Sequence, residues 1–133
     1  MKKLFIQGII AGVLASIASL IYLNIYQAAF EVHFDAIVNT GSIVGACILG
    51  CMLITVGYAI LLKFNKLNLA GWLNILVAIV SFASIISPIG MRLPLEIESP
   101  ELFPGLIVPM HFFPALAFFT LSPFFQTPKN QIV

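Results

Sequence analysis

Charge is what this sequence has least of. Asp, Glu, Lys and Arg make up 8% of its 133 residues, and six basic side chains nearly cancel five acidic ones to leave +1. So small a basic excess offers little to a phosphate backbone, and nucleic acid is not an expected partner. The scarcity is also uneven, because no charged residue occurs in 4–30, 36–62, 67–91 or 102–128. Each of these runs exceeds the roughly 20 residues that carry a helix across about 30 Å of hydrocarbon at about 1.5 Å per residue.

Recognisable catalytic motifs are missing too. There is no glycine-rich phosphate loop, no His-Glu-x-x-His and no nucleophile elbow. Cys47 and Cys51 are the only cysteines and stand four apart, so the Cys-x-x-Cys of a four-helix, disulfide-generating quinone reductase is absent. Four apart on a helix they share a face but lie too far from each other for a disulfide. They read as structural thiols in a helix interface, with redox or metal use as the alternative. Small multidrug transporters are four-helix proteins of similar length, but they need a carboxylate in the first helix, and 4–30 has none. No catalytic residue, metal ligand set or cofactor is therefore expected.

What is present is apolar, 61% of the chain. The four runs predict an all-α membrane protein, one integral domain over 1–133, built as a four-transmembrane-helix bundle with helices at about 4–27, 40–62, 69–89 and 100–125. Met1-Lys2-Lys3 followed by an apolar run imitates a secretory signal, with Ser16-Ile17-Ala18 as a possible cleavage site, but the run continues to Phe30 and reads as an uncleaved first helix. Lys2 and Lys3, Lys63 and Lys66, and Lys129 fall on one side of an even number of spans. All five acids fall on the other side, with Arg92 the single basic exception. The positive-inside rule then predicts cytoplasmic N and C termini and a multi-pass protein of the cell inner membrane.

Small residues mark where helices can approach. The first span carries Gly8, Gly12 and Ser16, with Ala11, Ala15 and Ser19 alongside, and the second carries Gly41 and Gly45, then Ser42, Ala46 and Gly50. These stripes predict that the first two spans pack as an antiparallel hairpin, a homodimer contact at Gly8–Gly12 being the rival. Between them Phe30, Phe34, Ile37 and Val38 recur at helical spacing opposite Glu31 and Asp35, which predicts a short helical extension in the headgroup layer. Asn39 or Thr40 is then the expected cap of the second span. Tyr22, Tyr26 and Trp72 suit the interfaces, and Pro88 predicts a bend or break near the outer end of the third span.

The fourth span is the unusual one. Pro100, Pro104, Pro109 and Pro114 follow one another at short spacing, and His111 is the one ionisable side chain well inside an apolar run. Ser99-Pro100-Glu101 reads as a helix N-terminus, and the later prolines each remove a backbone donor, so this helix should be proline-kinked. Freed backbone must be satisfied by protein or water, which turns this half toward the bundle. At similar depth Asn24, Ser42 and Ser84 complete a candidate ligand-binding set with His111, a small cavity open to the outside. The alternative is that His111 bonds a freed carbonyl. Glu31, Asp35, Glu96, Glu98 and Glu101, with His33, are either solvated charges that enforce topology or a cation site.

With Pro109-Met110-His111 as the matching element, the layout resembles a group of uncharacterised small four-helix bacterial membrane proteins, a domain of unknown function. The resemblance implies the fold and no activity. The expected function is a structural or accessory membrane protein acting through helix contacts, with membrane lipids and a second copy or a membrane-protein partner around it. The alternative is outward-facing binding or transport of a small ligand or lipid at the cavity around His111.

Overall fold

The computed structural model describes residues 1–125. Lys129, one of the lysines that set the expected orientation, lies outside the described residues. Among those described the chain is all-helical, and four stretches are long and apolar enough to cross a membrane: Lys2–Phe30, Thr40–Lys63, Leu67–Gly90 and Pro100–Phe125.

The first two are uninterrupted helices, α1 (Lys2–Phe30) and α2 (Thr40–Lys63). The third opens with a 3₁₀ turn at Leu67–Leu69, continues as α3 (Ala70–Ser84), and resumes after Ile85 as the short α4 (Ile86–Gly90). Pro88 has no N–H to give the Ser84 carbonyl, and the ladder is interrupted where that bond is missing. The fourth begins with a 3₁₀ turn at Pro100–Leu102, then α5 (Phe103–Met110), a two-residue interruption at His111 and Phe112, and α6 (Phe113–Phe125). Ser99 does not cap this span: its side chain makes no cap bond, and its φ of 51° places it in the left-handed region.

The bundle is built on α1, which packs chiefly against α2 and α6. Its inward stripe is Leu4, Gln7, Gly8, Ala11, Gly12, Ala15, Ser16, Ser19, Leu23 and Tyr26, steps of three and four that keep one face inward. Because this stripe is mostly small, neighbouring backbones come close. A Cβ on Gly12 would lie 3.0 Å from the Ile48 α-carbon, and one on Gly8 would collide with the Thr55 hydroxyl.

The answering face of α2 differs from the glycine stripe expected for it. It runs through Ile43, Cys47, Cys51, Ile54, Thr55 and Tyr58. Gly45 is exposed with nothing near it, and Gly41 has only the cap residue Asn39 beside it. The two cysteines, both free and buried, provide the small volume that the glycines were expected to provide.

Two core clusters stack along the bundle. At the end carrying the 31–39 and 91–99 connections, Leu23, Tyr26, Val32, Phe34, Ile43, Phe103, Leu106 and Met110 are buried together. At the end carrying Met1, the cluster is Leu4, Ala11, Cys51, Ile54, Tyr58 and Phe118. Phe34, expected in a surface extension, instead drives into the first cluster and meets Phe103 edge-on at 5.4 Å between ring centroids. A single turn, closed by Ile37 N and Val38 N on the Phe34 carbonyl, replaces the helix expected there.

The third span stands apart from this arrangement. Only 6% of its most apolar window is buried, against 44% for the first span, and α3 contributes no buried residue.

Candidate functional site

Each of the four residues nominated as a cavity lining has a polar atom bonded close to home. Ser42 is the N3 residue of a capping box: its N–H donates to Asn39 Oδ1 at 2.8 Å, its hydroxyl oxygen accepts from the Asn39 N–H at 3.3 Å, and its O–H donates to the Asn39 carbonyl. It thus closes the first turn of α2, which explains a serine there without a ligand. Asn24 donates through Nδ2 to the Leu20 carbonyl at 2.8 Å, and Ser84 donates through Oγ to the Ser81 carbonyl at 2.7 Å. The His111 ring, half-buried, places Nδ1 2.9 Å from the Ile107 carbonyl. No hydrogen bond joins any of these four side chains to another among the described residues. In each case a polar group in an apolar surrounding takes the nearest backbone oxygen, as Ser, Thr and Asn do in membrane helices.

Asn24 does line a hollow at the connection end, about 370 Å³, with Gln27, Ala28, Glu31 and His33. Gln27 Nε2 reaches Asp35 Oδ1 at 3.5 Å, and His33 Nδ1 lies 3.9 Å from Asp35 Oδ2, both partners of that pair being solvent-exposed. A screened pair of this kind adds little stability. What the hollow offers is chemistry: two carboxamides, a carboxylate and an imidazole. Its position at the last turn of α1 is set by Glu31, which ends the helix at φ 54° and sends its N–H back to the Gln27 carbonyl. Among the described residues no three His, Cys, Asp or Glu side chains stand close enough to hold a metal ion.

The interior holds a second polar cluster that the sequence reading passed over. Gln7 is fully buried, and its Nε2 donates to the Phe118 carbonyl at 3.1 Å and to Ser122 Oγ at 2.9 Å. Ser122 itself donates to the same Phe118 carbonyl at 3.1 Å. Gln7 Oε1 has no partner. Thr55 donates to the Cys51 carbonyl at 2.8 Å, and Tyr58 donates to Asn74 Oδ1 at 2.6 Å, the one side-chain hydrogen bond from α3 to another helix among the described residues. Reversing the Gln7 amide would set its oxygen against the Phe118 carbonyl, so the orientation follows from the acceptors around it. The signal that could have revealed this knot is depth: Gln7, Thr55 and Ser122 lie four, eight and seven residues from Lys3, Lys63 and Lys129, all in the lysine-bearing half of their spans.

The thiols take soft partners. Cys47 Sγ lies 3.4 Å from Ser19 Oγ, and Cys51 donates to the Pro114 carbonyl at 3.4 Å. A Cβ on Gly50 would lie 3.2 Å from the Pro114 ring, so this glycine lets α6 sit close against α2. These are packing arrangements, with no base hydrogen-bonded to either sulfur among the described residues to raise its nucleophilicity.

Compared with family models, with curated proteins and with solved structures, the chain matches none.

Proposed function

We propose that this is a structural or accessory membrane protein that acts by helix contact, and that its third span is the contacting element. The observation that carries this reading is the difference in burial between spans. α1 buries a full stripe against α2 and α6 while Ile9, Ile21 and Ile25 stay outside, whereas α3 buries no residue and leaves Ile75, Leu76, Ile79, Val80 and Phe82 more than half exposed. Apolar surface facing lipid gains nothing by hydrophobic drive, so a helix is held laterally only by close packing and polar contacts. Among the described residues α3 makes one side-chain hydrogen bond to another helix, Tyr58–Asn74, and packs through Leu73 on Gly57 and Phe82 on Phe112. A span so loosely attached is the one free to pack on a membrane-protein partner or on a second copy.

The finer arrangement belongs to the same proposal. Lys2, Lys3, Lys63 and Lys66 face the cytoplasm of a bacterial inner membrane, both termini lie inside, and the fourth span bends at its proline-rich half. The test is crosslinking in native membranes from cysteines placed at Ile75 and Ile79, in a background lacking Cys47 and Cys51, with native mass spectrometry of the solubilised protein. Crosslinks from these positions, absent from control cysteines at Ile9 and Leu53, support the reading. A monomer with no specific crosslink overturns it.

The hollow lined by Asn24, Gln27, Glu31 and His33 favours a second reading, a binding site for a small polar ligand or lipid headgroup on the outer side. Its measure is whether a lipid or other small molecule copurifies and is lost on substituting Asn24 and Glu31 together with alanine.

A further inference from the structure

We propose that Tyr22 and His111 are the side chains that close the gap in the fourth span's hydrogen-bond ladder, fixing it as a joint keyed to α1, and that the working atom of His111 is Nδ1. In a regular helix the Gly105 carbonyl would accept from residue 109, which is Pro109 and has no N–H. The Ile107 carbonyl would accept from His111 N–H, but that group goes to the Val108 carbonyl at 3.3 Å. Both carbonyls at membrane depth thus lose their own helix's donors, as does the Met110 carbonyl opposite Pro114, which is costly where no water can reach them.

The Gly105 and Ile107 carbonyls are both taken by side chains. The Tyr22 hydroxyl donates to Gly105 O at 2.9 Å, and His111 Nδ1 lies 2.9 Å from Ile107 O. A carbonyl oxygen only accepts, so Nδ1 carries the proton, and in a neutral ring Nε2 is the bare nitrogen. The clamp from α1 is doubled by Tyr26, whose hydroxyl donates to Leu102 O at 2.8 Å. Its hydroxyl oxygen occupies the place a side chain on Gly105 would need, which is why a glycine stands there. With Gly105 O and Ile107 O both occupied, the break does not present them as a cation-coordinating half-helix end of the kind found in transporters.

Asparagine carries an N–H donor near the place of Nδ1, and glutamine carries one near the place of Nε2. The full chain with His111→Asn, His111→Gln or His111→Ala, and separately with Tyr22→Phe, is followed in detergent by its thermal midpoint and by amide exchange over 112–116. His111→Asn is expected to keep the wild-type midpoint and protection. Gln and Ala should fall together by several degrees with faster exchange, and Tyr22→Phe should fall although its ring is retained. Asn falling with Ala, Gln matching wild type, or all three matching wild type overturns the role of Nδ1, and an indifferent Tyr22→Phe overturns the clamp on Gly105. If the variants do not fold, ¹⁵N spectra of histidine-labelled wild-type protein decide. Protonated Nδ1 at His111 is the expected pattern, and a ring protonated at Nε2 alone overturns the proposal.

Discussion

At the scale of single residues, the molecule discriminates sharply between glycines that look alike in the chain. Gly12 faces the Ile48 backbone, which cannot rotate away, so Gly12→Ala should cost about 1–3 kcal/mol through overpacking. Gly45 meets open space, and Gly45→Ala should be neutral or gain up to about 1 kcal/mol from helix propensity. Unfolding in mixed detergent measures both, and equal effects would mean that α1 and α2 do not pack along this face. Gln7→Ala removes two hydrogen bonds of a buried amide and leaves a small void, and should cost about 1–3 kcal/mol in the same assay. Such differences are hard to read from sequence. Small-residue spacing drew attention to Gly8 and Gly41 alike, but which stripe meets a neighbour depends on how the helices are rotated. A lone glutamine in an apolar run gave no sign of what stands opposite. The cap of α2, by contrast, was legible to within one residue, Asn39 or Thr40, because the requirement is local, an acceptor three residues before a free N–H.

At the scale of elements, the four spans were legible to within a few residues, since lipid imposes length and excludes charge. Their inward faces were not. In a soluble helix polar residues mark the outside, but here Leu4 is buried and Ile9 exposed with no polarity contrast between them. The connection 31–39 misled for a related reason: Phe30 and Phe34 share a helical period, yet the chain leaves the helix at Glu31, so Phe34 turns into the core while Phe30 stays outside. Burial translates directly into a prediction. Leu106, fully enclosed, should cost about 2–5 kcal/mol when cut to alanine, whereas Ile79→Ala on α3 should change monomer stability by less than about 0.5 kcal/mol. Comparable losses at both positions would show that α3 is held more tightly than its exposure indicates. Asn39→Ala should cost about 1 kcal/mol by unbinding the first turn of α2.

At the scale of the whole molecule, the connections at opposite ends of the bundle make topology measurable. In a background with Cys47 and Cys51 replaced, a cysteine at Glu98 should react with an impermeant thiol reagent in intact cells, and one at Asn65 should react only after lysis; the reverse pattern would invert the molecule. The native thiols, both buried, should resist the reagent in the folded state, which makes their sudden reactivity a gauge of unfolding. One feature of the interior bears on how the protein comes to be made. Gln7 and its partner Phe118 are 111 residues apart in sequence, so α1 waits for α6, which is synthesised well after it. Until then its amide sits in the insertion machinery or the bilayer with nothing to bond, and biogenesis includes an interval in which the nascent protein is threaded but not yet assembled. Nonsense variants ending before Phe118 would never leave that interval, and cellular quality control should remove them.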